Sequence, residues 1–204
     1  MKIITISREF GSGGRELGKR LADHLGFDYY DSEIITAIAN NRGLDPSYVE
    51  RTLANHGWQA FPLNYHITLG APTDLHTGKI GLLLEQKKVI EEIAALGKDC
   101  IIVGRNADVL LEEYHPFNLF VCASMEAKVA RCMERAPEGE SLTRKELEKK
   151  IRSIDKGRSR TRELLSSSAW GQRDAYHLTV NTSDWSIKAL TPVVADFALR
   201  WFER

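Results

Sequence analysis

Residues 3–22 constrain the fold of this chain more than any other stretch. They read IITISREFGSGGRELGKRLA: an apolar strand, a glycine-rich turn and an amphipathic helix, in that order. Gly11, Gly13 and Gly14 allow the backbone to turn tightly and to direct successive N–H groups inward. The helix that follows adds the positive end of its dipole. Together these elements predict a cradle for a phosphate group.

The loop departs from the standard phosphate-binding motif, GxxxxGK[ST]. In that motif the lysine contacts the β- and γ-phosphates and the hydroxyl residue holds magnesium. Alignment on the preceding strand and on the turn at residues 11–13 places Gly14 in the lysine position with Arg15 and Glu16 after it, and we interpret Glu16 as the substitute for the hydroxyl residue. A glycine-rich turn between a strand and a helix can also be purely structural. The loop therefore predicts phosphate binding and leaves the chemistry open.

Alternating strands and helices along the rest of the chain predict one α/β domain. Strands are expected at 2–6, 27–30, 99–103, 118–123 and 175–181, and helices at 14–25, 32–40, 79–96, 125–135, 140–164 and 186–202. Strands joined by helices form a parallel sheet with helices on both faces, a three-layer α/β/α arrangement, and ligands bind at the carboxyl ends of the strands. Residues 55–78 show no periodicity.

Composition excludes several classes of protein. The 204 residues include 28 Lys and Arg against 28 Asp and Glu, so the formal net charge of zero argues against a general nucleic-acid binder. No apolar run approaches the roughly 18 residues that a membrane span needs, and no signal peptide is recognisable. Cys100, Cys122 and Cys132 have no metal-ligand spacing and are expected to be buried thiols. We expect a cytoplasmic protein with neither a nucleic-acid nor a membrane partner.

Arginines mark two further segments. Arg105 follows the strand at 99–103, where a guanidinium can bind a phosphate through two hydrogen bonds, although it could also be an ordinary surface residue. In the segment 155–162, DKGRSRTR, Arg158 and Arg162 share a helix face and Asp155 can pair with Arg158. Nearby glutamates make a solvated helix the alternative. Phosphoryl transfer, which uses such arginines, favours a functional interpretation.

Six segments, taken in order, resemble bacterial cytidylate kinase, and more closely still the cytidylate kinase-like proteins that carry SREFGSGGRE in place of a standard Walker loop. They are ITIS-REFGSGGRE, YYDSE, VGRNADVLL, LFVCASMEAKVAR, DKGRSRTRE and DAYHLTVNTSDWSI. The resemblance implies a P-loop NTPase fold of the nucleoside monophosphate kinase type. The whole chain, 1–204, would be a single domain with an acceptor-binding insertion at about 31–80 and an arginine-rich lid at about 138–170.

The resemblance also implies roles for individual residues. The donor phosphates would be wrapped by Gly11, Ser12, Gly13 and Gly14. The acceptor would be bound by Asp31, Ser32, Arg105, Asp155 and Arg158, and the transferred phosphoryl group would be approached by Arg160 and Arg162. Three positions depart from the family pattern: an arginine downstream of Asp31 and Ser32 falls on Ala37, and the residues flanking Gly104 and Arg105 are Val103 and Asn106. Asp31 and Ser32 could equally cap the next helix. The segment 181–183 need only be structural.

These expectations define a leading function and two alternatives. The leading one is magnesium-dependent transfer of the ATP γ-phosphoryl group to a nucleoside monophosphate, with CMP or dCMP as the first acceptors to test. Arg15 would replace the missing lysine and act with Arg158, Arg160 and Arg162, and Glu16 would hold Mg²⁺. The alternatives are a kinase for another small acceptor, because residues 55–78 do not match the nucleotide-kinase pattern in detail, and a nucleotide-sensing module without turnover. The oligomeric state cannot be read.

Overall fold

A five-stranded parallel sheet forms the centre of the molecule. The computed structural model describes residues 1–32, 34–35, 76–136 and 142–204. The strands are β1 (Ile3–Arg8), β2 (Asp28–Asp31), β3 (Cys100–Val103), β4 (Phe117–Cys122) and β5 (Leu178–Asn181). They lie in the order β2-β3-β1-β4-β5, and every neighbouring pair is parallel. The prediction of a parallel sheet is confirmed.

Helices connect these strands. The described ones are α1 (Gly14–Leu25), α2 (His76–Ala95), α3 (Ala107–Leu110), α4 (Met125–Glu134), α5 (Arg144–Glu163) and α6 (Ile187–Phe202), with 3₁₀ turns at Glu112–Tyr114 and Arg173–Ala175. Glycines in the left-handed region bound α1, at Gly13 (φ 82°) and Gly26 (φ 70°). A capping box of Thr143 and Glu146 begins α5. Local sequence therefore determines where these helices begin and end.

The side chains of β1 show how helices cover both faces of the sheet. Ile6 lies beneath α1, where a Cβ built on Gly18 would be 3.1 Å from Ile6 Cδ1. The next residue, Ser7, points to the opposite face and donates a hydrogen bond to Asp108 of α3 at 3.4 Å. Helices thus flank the sheet on both sides, and the predicted three-layer α/β/α architecture is confirmed.

Aliphatic side chains of the three central strands fill the core. Ile4 and Ile6 of β1 and Ile101 of β3 are at most 1% exposed, and Leu17 and Leu21 of α1 pack onto them with no exposed surface. Burial of each such side chain contributes about 1.5–3 kcal/mol to folding. This core holds the carboxyl ends of β1, β3 and β4 in fixed relative positions.

Most predicted boundaries lie one to four residues from the observed ones, and those of β1 and β5 differ for a visible reason. β1 continues past residue 6 because Ser7 and Arg8 pair in register with Phe120 and Val121 of β4. The predicted strand at 175–181 pairs only over Leu178–Asn181 and is preceded by the second 3₁₀ turn. Most of the predicted helix at 32–40 and residues 55–75 of the segment 55–78 lie outside the described residues, whereas 76–78 form the start of α2. None of the described helices is both long and apolar enough to span a bilayer.

Candidate active site

The glycine-rich loop between β1 and α1 has the backbone conformation that the sequence predicts. Gly11 and Gly13 have φ values of 75° and 82°, which other residues adopt only with strain. Within the described residues, no acceptor is found for the backbone N–H groups of Gly13 and Gly14, which lie at the start of α1. Free N–H groups at a helix N-terminus attract anions. The loop is therefore suited to a phosphate group.

Contacts from β4 and α4 hold the beginning of the loop. Glu9 N donates to Val121 O at 2.9 Å, which extends the β1–β4 ladder by one residue. One carboxylate oxygen of Glu9 accepts from Ala123 N at 3.1 Å and from Lys128 Nζ at 3.0 Å. Lys128 is itself 6% exposed, so this ion pair is well shielded from water.

The residue after β5 holds the middle of the loop. The fully buried Thr182 donates from Oγ1 to Ser12 O at 2.6 Å. Arg131 of α4 joins them, since its Nη1 donates to Thr182 Oγ1 at 3.0 Å and to Gly11 O at 3.4 Å. The closing segment at 181–183, for which only a structural role was predicted, thus supports the loop directly.

Arg15 connects the loop to the end of β2. Its Nε lies 2.7 Å from Asp31 Oδ2, and the Asp31 side chain is 3% exposed. Asp31 also accepts from Ile34 N at 3.0 Å, so it has the capping role that was the simpler interpretation of the sequence. A residue predicted to bind the donor and a residue predicted to bind the acceptor are therefore in contact.

Glu16, the predicted magnesium ligand, forms ion pairs with two arginines. Its Oε1 lies 2.8 Å from Arg20 Nε, and its Oε2 lies 2.5 Å from Arg135 Nη2. Burial alone would raise the pKa of Glu16, but the hydrogen bonds and charges of Arg135 and Arg20 outweigh it and lower the pKa. Among the described residues, no three His, Cys, Asp or Glu side chains group as a metal site. With both oxygens engaged, Glu16 does not fit a magnesium ligand in this arrangement.

The loop after β3 carries Arg105 in a strained conformation. Gly104, Arg105 and Asn106 have successive φ values of 86°, 57° and 52°, and a non-glycine residue in this region costs of the order of 1 kcal/mol or more. Arg105 Nη2 donates to Ser32 O at 3.4 Å. The structure thus brings two residues predicted to bind the acceptor to the carboxyl edge of the sheet.

Asp155 and Arg158 of α5 reach across to the loop after β1. Asp155 accepts from Phe10 N at 2.7 Å, and Arg158 Nη1 donates to Arg8 O at 2.9 Å and to Asp155 at 3.1 Å. Burial raises the pKa of Asp155 and lowers that of Arg158, and each partner's charge opposes the shift of the other. The predicted pairing of these two residues is present, and it joins the predicted lid to the phosphate loop.

The remaining two arginines of the 155–162 segment have different environments. Arg160 is exposed. Arg162 is 2% exposed, forms an ion pair with the buried Asp108, and donates from Nε to Ser168 O at 3.1 Å. Its guanidinium also lies over the Tyr176 ring, 5.4 Å from the centroid. Arg162 is therefore enclosed by the protein, whereas Arg160 is open to solvent.

Sequence reasoning assigned no role to Arg8, which lies among these residues. Its Nη2 donates to Ser32 Oγ at 3.3 Å, and its guanidinium covers Gly104. Burial, followed by the charges of Arg158 and Arg105, lowers the pKa of Arg8 to about 9. The segment SREFGSGGRE, which carries the family resemblance, includes Arg8 and could have drawn attention to it. Because β1 was predicted to end at residue 6, the direction of the Arg8 side chain could not be inferred.

Several proteins with a similar sequence or fold are named as kinases. The chain is 23% identical over 195 residues to the cytidylate kinase of Halobacterium salinarum, covering 95% of this chain and 88% of that protein. The crystal structure of an uncharacterized protein from Eubacterium ventriosum matches with a TM-score of 0.71 and 22% identity, over 97% and 98% of the two chains. Shikimate kinase from Acinetobacter baumannii in complex with shikimate matches with a TM-score of 0.54 and 17% identity, over 98% and 94%.

The structural matches, all below 25% identity, show a P-loop kinase fold. The sequence match to a whole family is more specific. The model of the cytidylate kinase-like family matches residues 3–184, nearly the full length of the chain. The chain therefore belongs to the cytidylate kinase-like family.

Proposed function

We propose that the protein transfers the γ-phosphoryl group of ATP to a nucleoside monophosphate, with CMP or dCMP favoured. One observation carries the proposal: Arg15, beside the phosphate loop, pairs at 2.7 Å with Asp31, which matches the acceptor motif of the family. Donor and acceptor residues that meet in this way can hold two nucleotides with their phosphates adjacent. Family membership supports the same reaction class.

The loop fits the ATP phosphates. The N–H groups of Gly13 and Gly14 at the start of α1 supply hydrogen-bond donors, and Gly11 and Ser12 complete the curve of the backbone. Thr182, Arg131 and Glu9 keep this curve in place without entering it. Little rearrangement of the loop is then required on binding, which favours affinity.

The acceptor phosphate would lie near Arg105 and Arg158. Arg105 is held by the strained loop after β3, and Arg158 by its pairing with Asp155. Ser32 and Asp31 would contact the rest of the acceptor from the end of β2. Two guanidinium groups suit a phosphate dianion because each can donate two parallel hydrogen bonds.

Transfer requires mainly positioning and neutralisation of charge. An oxygen of the acceptor phosphate forms a bond to the γ-phosphorus as the bond from that phosphorus to the β–γ bridging oxygen breaks. The bridging electron pair stays on ADP, and a proton carried by the acceptor oxygen leaves to solvent. Arg158 and the exposed Arg160 would stabilise the charge on the transferred group. We propose that Arg162 acts from its buried pair with Asp108, as a positioning residue.

Magnesium is part of the proposed reaction, but Glu16 does not fit as its ligand while Arg20 and Arg135 occupy both oxygens. Magnesium in kinase sites usually keeps several waters and is held largely by the phosphates of the substrate. The requirement for Mg²⁺ is therefore tested through the effect of the ion on ATP binding. ATP affinity measured with and without Mg²⁺, in the wild type and in Glu16→Gln, separates a protein ligand from an ion that arrives on ATP.

The direct test is calorimetry with ATP, then with CMP, dCMP, UMP and AMP, followed by detection of the diphosphate product. Cytidine, which lacks the phosphate, is the matched control ligand for CMP. We expect CMP or dCMP to bind and to be phosphorylated, and Arg105→Ala to weaken CMP binding by about tenfold or more without affecting that of cytidine. Absence of product with every nucleotide would contradict the proposal.

The role of Arg15 has its own test. Removal of a cation that contacts the ATP phosphates should lower both ATP affinity and turnover in Arg15→Ala. Removal of a residue that only pairs with Asp31 should lower stability instead. Unchanged ATP affinity and turnover in this variant would show that Arg15 does not replace the lysine.

Glu16 gives specific support to a second candidate, a nucleotide-sensing module. Glu16, the substitute for the hydroxyl residue that holds magnesium in the standard loop, is engaged by two arginines, and the lysine position carries glycine. Such a protein would bind ATP and an acceptor but form no product. A wide screen of small acceptors distinguishes it from a kinase whose acceptor is not a nucleotide.

A further inference from the structure

Two positions of the phosphate loop have exchanged residue types. When Gly14 occupies the lysine position of GxxxxGK[ST], the first glycine of that motif falls on Arg8. The standard loop has glycine at its strand end and a cation at its helix end. This loop has a cation at its strand end and glycine at its helix end. The positive charge is therefore still present in the loop, at the opposite end.

The structure shows that the two exchanges depend on each other. Arg8 is the last residue of β1, and a Cβ built on Gly14 would lie only 2.6 Å from Arg8 Cβ and 3.1 Å from its Cγ. No side chain fits at position 14 while Arg8 is present. Glycine in the lysine position thus makes room for the arginine.

Gly104 provides the other wall of the same groove. A Cβ built there would overlap Arg8 Nη1 and lie 2.7 Å from Arg8 Cζ. The guanidinium is thereby stacked directly on the backbone of the loop that carries Arg105. Two glycines, from loops after β1 and β3, fix where Arg8 can point.

Three cations share this part of the sheet edge. Burial and the charges of Arg158 and Arg105 disfavour the charged form of Arg8 and outweigh the opposite effect of Asp31, so an anion that enters the cluster would stabilise it. Within the described residues, Arg8 forms no ion pair with a carboxylate, whereas Arg158 pairs with Asp155. The guanidinium of Arg8 donates to Ser32 Oγ, a hydroxyl at the predicted acceptor site.

We propose that, in addition to Arg15, Arg8 is a phosphate-binding cation of this loop, which supplies positive charge from the end opposite to the missing lysine and contacts the phosphoryl group between donor and acceptor. The inference rests on the proposed function for the identity of its ligands. The geometry that supports it is the groove between Gly14 and Gly104, which leads from the loop to Ser32 and Arg105.

The test compares binding and stability in Arg8→Ala and Arg8→Lys. The ligands are ATP and inorganic pyrophosphate, measured by calorimetry, and the free energy of unfolding is measured in urea. We expect Arg8→Ala to weaken binding of both ligands by about tenfold or more, with unfolding stability unchanged or higher because the repulsion is removed. Arg8→Lys should recover part of the affinity. Arg200→Ala, on the exposed face of α6, is the control for non-specific charge effects.

A charge relocation makes the test more specific. Gly14→Lys alone should destabilise the fold because its Cβ overlaps Arg8, whereas Arg8→Gly with Gly14→Lys restores the standard arrangement. The double variant should bind pyrophosphate more tightly than Arg8→Gly. Wild-type affinity in Arg8→Ala, or loss of binding only in step with loss of stability, would overturn the inference.

The outcome is distinguishable from that of the proposed function. If the wild type phosphorylates its acceptor and Arg8→Ala does so equally well, the proposed function stands and the role of Arg8 is refuted. If no acceptor is phosphorylated but Arg8→Ala still loses pyrophosphate binding, the role of Arg8 stands and the proposed function is refuted.

Discussion

Residue types in the phosphate loop differ from those of the standard motif, and the difference changes which contacts each side chain makes. Glu16, which we interpret as the substitute for the hydroxyl residue, is held between Arg20 of its own helix and Arg135 at the end of α4. A carboxylate so placed connects two helices. Its contribution to stability depends on its being ionised.

Glu16→Gln should therefore destabilise the fold in a pH-dependent manner. The folded-state pKa is lowered, so the stabilisation is fully present above the unfolded value near 4.5 and is lost as the pH falls through the folded value. Because Arg135 is 41% exposed, we expect a loss of about 1 kcal/mol at pH 7. Urea unfolding from pH 7 down to about pH 3 measures it.

The matched control for this measurement is Glu113→Gln, which changes an exposed glutamate in a 3₁₀ turn. It should leave the stability nearly unchanged at each pH. A cost of Glu16→Gln that is the same at neutral and acid pH would show that the ion pairs do not stabilise the protein.

At the scale of elements, the loop after β3 shows what the sequence could and could not predict. The triplet Gly104-Arg105-Asn106 was recognised as a strand end because the apolar run stops at Val103. Its three left-handed residues and its contact with Arg8 were not predictable, since Arg8 lies 96 positions earlier in the chain. The contact depends on the pairing of β1 with β3.

Gly104→Ala should lower the free energy of unfolding by more than the replacement of a glycine whose backbone conformation is the only source of strain. Gly97, at the end of α2, has φ 71° and nothing within 4 Å of a built Cβ, whereas Gly104 has φ 86° and would overlap Arg8. Gly97→Ala should lower the free energy of unfolding by about 1–2 kcal/mol because of backbone strain. Gly104→Ala should lower it by about 1–3 kcal/mol more because of the overlap with Arg8. Urea unfolding of both variants measures the difference. Equal losses in the two variants would show that the Arg8 side chain moves away without an energetic cost. When Arg8→Ala is added, the additional loss of Gly104→Ala should disappear.

The carboxyl end of α5 depends on Arg162. Arg162→Met leaves the buried Asp108 carboxylate without its ion pair, so we expect a loss of about 3–5 kcal/mol of unfolding free energy. The control is Arg160→Met, on an exposed residue two positions earlier, which should change the stability by less than about 0.5 kcal/mol. Under the proposed function Arg160→Met should instead slow phosphoryl transfer. Similar stability losses in both variants would contradict this division of roles.

At the scale of the whole molecule, local sequence specified the elements but not which side chains meet. Helix α1 was predicted with its observed ends because Gly13 and Gly26 bound it. The contact of Thr182 with Ser12 spans 170 positions, and that of Arg158 with Arg8 spans 150. Such contacts follow from strand order, and the helical spacing of Arg158 and Arg162 carried no information about Asp108.

These long-range contacts join α5 to the phosphate loop, so nucleotide binding at the loop can change how well α5 is protected from hydrogen exchange. Asp155 and Arg158 contact the loop at Phe10 and Arg8, and Lys128 of α4 lies 3.6 Å from Asp155. If residues 138–170 act as the predicted lid, ATP and CMP together should slow hydrogen exchange along α5 more than either nucleotide alone. Mass spectrometry of residues 144–163 measures this protection.

Arg158→Ala should remove this additional protection, because the anion would then have one fewer contact to α5. Lys128 also lies next to the loop, but it belongs to α4 and is paired with Glu9, so it does not replace the contact from α5. Arg200→Ala, remote on α6, should retain the full effect. If α5 exchanges as slowly without nucleotides as with both, the helix is a fixed part of the fold, and closure over the phosphates must come from another segment.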